Sequence, residues 1–379
     1  MSEDAVAKDK RVVLTLDAGG TNLVFSAMRG AKPVLRPLTL ESKAQGRREE
    51  CLGQIIKGFR AAREKLGRAP AAISFAFPGP ADYSAGVIEN PPNVPAFRDG
   101  VPLGPILEEE FGLPVFINND GDLFAYGEAI AGFLPAVNLA LAKAKSPKRY
   151  QNLFGLTLGT GLGGGIVAGR RLLRGDNSAA GEAWLLRHKL DPGLHAEEGC
   201  SIRAVRRVYA EEAGLDFADA PEPKIIRDVA LGQAPGHRAA AKEAWRRLGE
   251  VAGDVVAQAL TLVDGLAVVG GGLSGAAELF MPALVKAANA GFSAPGGASC
   301  RLVARLFNFE DASERRAFLK GAAREISVPG SKRVVRHDPL ARAAVGVSRL
   351  GASRAAAVGA YAFALARLDE AASGKRAGF

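Results

Sequence analysis

The sequence predicts an α/β protein with a mostly parallel sheet core, divided between two related domains, and two observations carry that prediction. Five short apolar or β-branched runs end in glycine or an acid: RVVLTLDAGG, AAISFAFPGP, LPVFINND, LFGLTLGTG and LAVVGGG. Helical patterns such as ECLGQIIKGFRAAREKLG and HRAAAKEAWRRLGEVAGDVVAQALTLV lie between them. Strands alternating with helices imply α/β layers. The second observation is an internal similarity. LTLDAGGTNLVFSAMRG from Leu14 and LTLGTGLGGGIVAGRRLL from Leu156 both read as strand, Gly-rich turn, strand. Two such hairpins predict two related domains facing each other across a cleft, with the Gly-rich turns as jaws.

Taken in order, the first hairpin turns at DAGGTN, Asp17 to Asn22. Gly19 and Gly20 let backbone N–H groups approach a phosphate closely, and Thr21 and Asn22 add side-chain donors. Asp17, at the strand end, is placed to hold Mg²⁺ through water. The bland alternative is a simple hairpin turn. INNDGDLFAYGE, residues 117 to 128, follows where a strand gives way to a helix. Asp120 can accept a hydroxyl proton there while Asn119 bonds neighbouring hydroxyls. A helix N-cap competes as a role for Asp120, but Asp122 is expected to take it. Residues 142 to 152, AKAKSPKRYQN, read as a surface connector before the second hairpin, whose turn GTGLGGG spans Gly159 to Gly165. As a partner to DAGGTN, that turn favours phosphate binding at both. VVGGGLSG, Val268 to Gly275, sits between a buried strand and the helix AAELFMPALVKAAN, a flat backbone against which a base and ribose can lie. It is neither a P-loop nor a GxGxxG dinucleotide motif. The zone from about 291 to 349 is expected to be an irregular elaboration on the second domain.

Hydrophobic residues at 48% and charged ones at 23% fit a soluble globular protein. No apolar run reaches the ~18 residues of a membrane span, and the polar, acid-bearing N-terminus does not resemble a signal peptide. A cytoplasmic protein is the expectation, with no membrane partner. Three cysteines at 51, 200 and 300 form no disulfide framework. The net charge of +9 is spread along the chain, and without a reading motif it predicts no nucleic-acid partner. The densest cluster, RAVRRVYAEE from Arg203, reads as a solvated helix face.

DAGGTN, PGPADYSAGVIENPPNVPAF, INNDGDLFAYGE, GTGLGGGIVAG, AAGE and VVGGGLSG follow one another in an order that resembles the ROK family of repressors and sugar kinases. The likeness runs from about residue 12 to 275 and resumes at LGASRAAAVGAYAFALARL. It implies an actin-like ATPase fold of two RNase-H-like domains around a central cleft, where ATP and a hexose meet. On that basis residues 1–136 with 353–379 make the small domain and 137–352 the large one. The resemblance implies that Asp17, Gly19, Gly20 and Thr21 form the first phosphate motif. Thr160, Gly161, Gly163 and Gly164 form the second, and Gly271 and Gly272 the adenosine motif. Asn93, Asn119 and Asp120 fall on positions holding sugar hydroxyls, Asp120 on the base that deprotonates the 6-hydroxyl, and Glu182 on a sugar-binding carboxylate. The implied substrates are ATP, with Mg²⁺, and a hexose. Glucose comes first, with N-acetylglucosamine, N-acetylmannosamine, mannose and fructose as alternatives. A homodimer is also implied.

The pattern breaks after AAGE. Many members carry a histidine three residues on and then a CxCGxxGCxE zinc cluster; here the first position is Leu185 and the cluster is missing. In RHKLDPGLHAEEGCS, His188 and His195 fall on the first and last zinc-ligand positions, Glu197 on a sugar-contacting glutamate, and Cys200 on an ordinary one. Two histidines cannot complete a four-ligand structural zinc site, so no zinc is expected. The other class in the family, a sugar-responsive repressor, needs a helix-turn-helix ahead of the first phosphate motif. Sixteen residues before Asp17 are too few for one.

Overall fold

A computed structural model describes residues 3–19, 21–295 and 297–374. The chain divides into two compact units. One comprises residues up to Gly132, Gly165–Gly181 and everything from Leu350; the other comprises Phe133–Gly164 and Glu182–Arg349.

The first unit opens with α1 (Glu3–Lys8), β1 (Val13–Ala18), β2 (Asn22–Arg29), β3 (Lys32–Pro33), β4 (Leu38–Glu41), α2 (Arg48–Leu66) and β5 (Ala72–Ala76). A small hairpin, β6 (Ala81–Asp82) and β7 (Val87–Ile88), precedes α3 (Leu103–Phe111), β8 (Val115–Asn118) and α4 (Asp120–Ala131). The sheet order is β3-β2-β1-β5-β8, with β4 also on β2. β1 and β2 are antiparallel, whereas β1, β5 and β8 run parallel. Parallel strands covered on both faces should be apolar throughout. Leu14, Ile73, Phe75 and Ile117 meet that need, all at most 1% exposed. Each such side chain contributes about 1.5–3 kcal/mol of burial.

The second unit begins with α5 (Phe133–Lys143), β9 (Leu153–Leu158) and the start of β10 (Leu162–Ala168); the rest of β10 and β11 (Arg171–Leu173) belong to the first unit. Then follow α6 (Ile202–Ala213), α7 (Pro223–Leu231), α8 (Arg238–Val263), β12 (Leu266–Gly270) and α9 (Ala277–Ala288). β13 (Gly291–Ala294) and β14 (Gly297–Cys300) form a hairpin, followed by β15 (Arg305–Asn308), α10 (Ala312–Lys320), a second hairpin of β16 (Arg324–Ser327) and β17 (Val334–His337), and β18 (Arg342–Val347). The sheet order is β11-β10-β9-β12-β18-β15. Helix α11 (Ala352–Ala372) returns to the first unit. There, Gly127 of α4 and Gly359 of α11 let the two backbones close up. A Cβ on Gly127 would lie under 3.0 Å from the Ala355 carbonyl, and one on Gly359 equally close to the Leu123 carbonyl. That contact fixes the helix whose first residue is Asp120.

The five expected strands and both hairpins form. The zone from 291 to 349 differs from its expected irregularity, because β15 and β18 are core strands of the second sheet. Both are short and open on an arginine; β15, RLFN, has no β-branched residue, and the two valines of β18, RAAVGV, are diluted by alanine and glycine, so neither gives a clear strand signal. The change of unit at Gly132 falls four residues before the expected boundary, where Gly132, at φ −119° and ψ −117°, breaks the helix between α4 and α5. Gly165–Gly181 joins the first unit rather than the second, since Gly165 lies against the α4 backbone at Gly121 and Asp122. Asp120–Lys143 has the length and apolar composition of a membrane span, contrary to the reading from residue runs, although 67% of its apolar window is buried within the protein.

Candidate active site

In the first unit, the carboxyl ends of three parallel strands share one edge. Asp17 on β1 is in register with Ala76 on β5, and Ala76 with Asn118 on β8. With strands ~4.8 Å apart, Asp17 and Asn118 sit two strand spacings from each other, and Asp120 follows two residues on. Asp17 is exposed. The Gly19 N–H donates to the Asn22 carbonyl at 2.9 Å, closing the turn, and the Thr21 carbonyl accepts from the Ser42 N–H at 2.9 Å. Gly20 lies outside the described residues. Asn93 is exposed in a turn between β7 and the 3-10 turn Pro95–Phe97.

Asn119, not Asp122, caps α4: its Oδ1 accepts from the Gly121 N–H at 2.7 Å. Asn119 immediately precedes the first helical turn, whereas Asp122 lies inside that turn and is only 3% exposed. The cap leaves the Asn119 Nδ2 protons for a ligand. Asp120 also accepts from the Gly121 N–H, at 2.8 Å. Its carboxylate meets solvent yet is crowded by protein. That loss of hydration raises its pKa above the ordinary aspartate value; the Gly121 N–H opposes the shift and the Asp17 charge adds to it. Asn118, fully buried, has both amide atoms unpaired among the described residues. Sequence reasoning passed over it, although the Asn-Asn doublet before the acid was a signal.

In the second unit, the Gly159 N–H donates to the Gly161 carbonyl at 3.0 Å, and the Gly159 carbonyl accepts from the Ile202 N–H at 2.8 Å, tying the turn to α6. Thr160 is exposed, and Gly163 and Gly164 lie within β10. Glu197 reaches this turn: its Oε2 accepts from the Leu162 N–H at 3.0 Å. Its Oε1 accepts from Arg203 at 2.7 Å. Glu182 accepts from the Trp184 indole N–H, and the Trp184 ring meets His195 edge-on at 5.4 Å. Gly271 has φ 85°, and a Cβ there would lie under 3.0 Å from the Leu158 backbone, while nothing lies within 4 Å of one on Gly272. Gly271 is thus packed on the Leu158 backbone, whereas the backbone at Gly272 is open.

The segment 187–201 folds back on itself, with Arg187 bridged to His195. His188 is a turn former: its Nδ1 accepts from the N–H groups of Leu190, at 3.2 Å, and Asp191, at 2.9 Å. Burial lowers its pKa, with Arg207 adding to the effect and Asp191 opposing it. Cys200 is buried, which raises its thiol pKa. Leu185, at the position of the family histidine, is exposed. His195, Glu197 and Glu198 have ligand atoms within 4.8 Å of one another. Both acids are already engaged, however: Glu198 by Arg203 and Arg207, and Glu197 by Arg203. The arginines of α6 are thus committed to acceptors within their own unit, with Arg206 bonded to the Ala220 carbonyl.

Comparison with known proteins bears on these motifs. The ROK family model matches residues 13–307. A crystal structure of a glucokinase from Parabacteroides distasonis ATCC 8503 is 51% identical, with a TM-score of 0.87, covering 95% of this chain and 99% of that one. A glucokinase of Streptomyces coelicolor is 27% identical over 302 residues, 73% of this chain and 86% of its own. The structure of a ROK glucokinase from Streptomyces griseus, in complex with glucose and AMPPNP, is 23% identical, with a TM-score of 0.59 over 94% of this chain and 99% of that one; it speaks to the fold alone. The two mixed sheets are those of the actin-like ATPase fold, and the chain belongs to the ROK family.

Proposed function

We propose that this ATP-dependent sugar kinase transfers the γ-phosphoryl group of ATP to the 6-hydroxyl of glucose. The observation that carries the reading is Asp120: an accessible carboxylate of raised pKa at a strand-to-helix junction, sharing a sheet edge with Asp17. The 51% identity with a glucokinase supports glucose. Asp120 accepts the 6-hydroxyl proton as the oxygen attacks phosphorus, and a raised pKa suits a base. Asn119 Nδ2, Asn93, Glu182 and Glu197 bond the other hydroxyls. The turns at Gly19–Thr21 and Thr160–Gly164 offer backbone donors to the phosphates, and Gly271–Gly272 receives the nucleoside. The donor set suits a hard cation: Asp17 is an exposed carboxylate in no ion pair among the described residues, and it would hold Mg²⁺ through water. When bound, Mg²⁺ supplies charge neutralisation at the transferring phosphoryl group.

Coupled ADP release over glucose, N-acetylglucosamine, N-acetylmannosamine, mannose and fructose tests the reading, with Asp120→Asn as control. Glucose should give the highest kcat/KM. A higher value for another sugar overturns the choice of hexose, and equal inactivity of wild type and Asp120→Asn overturns the kinase mechanism. We further propose a homodimer, which light scattering tests.

A further inference from the structure

In the first unit, β11, α4 and α11 surround a cavity of about 210 Å³ whose lining includes Tyr126, Arg171, Arg174, Phe363, Arg367 and Glu370. None of these residues is among the catalytic, sugar-binding or nucleotide-binding residues named above. Three guanidiniums gather here with two carboxylates, Asp176 and Glu370, in the same lining. Arg174 is half-buried and lies over the Phe363 ring at 5.2 Å. It makes no ion pair or side-chain hydrogen bond with a described residue, and neither does Arg171. Arg367 pairs with Glu370 at 3.0 Å. Burial lowers the pKa of Arg174, with the Arg367 charge adding to the effect and the Asp122, Glu370 and Asp82 charges opposing it. Tyr126, 2% exposed, has a phenol pushed up to about 12, chiefly by burial. It is therefore a neutral donor, and it donates to no described residue.

A half-buried, unanswered guanidinium beside a second one is a cost that an anion would relieve. Arginine's planar fork matches phosphate in particular. The volume sets the size of the guest, since pockets for drug-sized ligands run to about 300–1,000 Å³, and this one is smaller. We propose that the cavity is an anion site that binds a phosphate group through Arg174, Arg171 and Arg367. The proposal does not depend on the identity of the sugar or on the kinase mechanism.

Titration calorimetry on the full chain tests it, with inorganic phosphate in one arm and glucose 6-phosphate in the other, at matched ionic strength. Wild type should bind phosphate. Arg174→Ala/Arg367→Ala should bind about tenfold more weakly, the effect of losing a hydrogen bond to a charged group, with kcat for sugar phosphorylation unchanged. Tighter binding of glucose 6-phosphate, weakened alike in the variant, assigns the phosphate to a sugar ester; equal binding assigns it to the free anion. No heat with wild type at millimolar phosphate, or unchanged affinity in the variant, overturns the proposal. Should the double variant lose its native circular dichroism, Arg171→Ala on the exposed rim gives the same reading: weakened binding supports the site and unchanged binding overturns it.

Discussion

Glu197 is bound to the second Gly-rich turn: its Oε2 accepts from the Leu162 N–H at 3.0 Å, and the same oxygen fills the space that a Cβ on Gly161 would need. A residue 35 positions downstream thus sets the shape of the second Gly-rich turn. Gly161→Ala would push Glu197 aside and leave the Leu162 N–H without its acceptor. A displacement of about 1 Å in a catalytic constellation can cost ~100-fold. We expect kcat/KM for glucose to fall by about that factor in Gly161→Ala, with KM values for sugar and ATP both raised. Steady-state kinetics at wild-type level would refute the coupling.

Asp120→Asn should lower kcat by about 10²–10⁴-fold, the usual contribution of a general base. The pH profile carries a second signature. A base works deprotonated, so wild-type kcat/KM should fall as pH drops through the raised Asp120 pKa, above the ordinary aspartate value of ~3.9. Stability runs the other way. A carboxyl whose pKa is higher in the fold favours folding most at low pH, and that contribution is lost as pH rises through the folded value. The asparagine escapes this loss and can keep the bond to the Gly121 N–H. Asp120→Asn should therefore melt at a higher temperature than wild type at pH 7. A lower melting point in calorimetry would mean that the carboxylate is not held against its preference.

Gly271 combines a left-handed φ of 85° with backbone packing against Leu158. Alanine meets both obstacles, and a strained backbone of this kind costs about 1–3 kcal/mol. Gly271→Ala should lose at least that much stability in urea denaturation, with KM for ATP raised more than KM for glucose. Gly272→Ala, at a position with open space, should keep its stability and affect ATP alone. Equal stability losses in the two variants would contradict this account.

The parts of the fold that sequence revealed are those held by local chemistry. Glycine turns punctuate β1–β2 and β9–β10, and the helical periodicity of α8, 26 residues long, is self-evident. The missed strands owe their place to long-range pairing. Arg342 opens β18 and is 1% exposed, ion-paired to Asp338 and bonded to Ser146 Oγ. In sequence, an arginine after RHDPLA reads as surface. Site residues behave alike: Asp120 and Asp17 are marked by strand ends, whereas the Glu197 contact with Leu162 and the orphan amide of Asn118 exist only once the chain is folded. The N-cap assignment failed because Asn119 and Asp122 are both competent caps by type. Which one caps depends on where the helix begins, and sequence places that only to within a few residues.

Glu198 links segment 187–201 to α6 through Arg203 and Arg207. The Arg203 hydrogen bonds, helped by Arg207 and opposed by burial, hold its carboxyl at about 2, down from 4.5. A depressed carboxylate stabilises the fold above its unfolded pKa, and the contribution is lost as pH falls toward the folded value. The window is therefore pH 4.5 down to about 2. Arg203 is 41% exposed, so solvent screening limits the pair to ~1 kcal/mol. Glu198→Gln should be less stable than wild type by about that amount at pH 7, and the difference should vanish near pH 2. Urea denaturation of both proteins across this range checks it. A difference independent of pH would show that Glu198 acts through packing rather than through its charge.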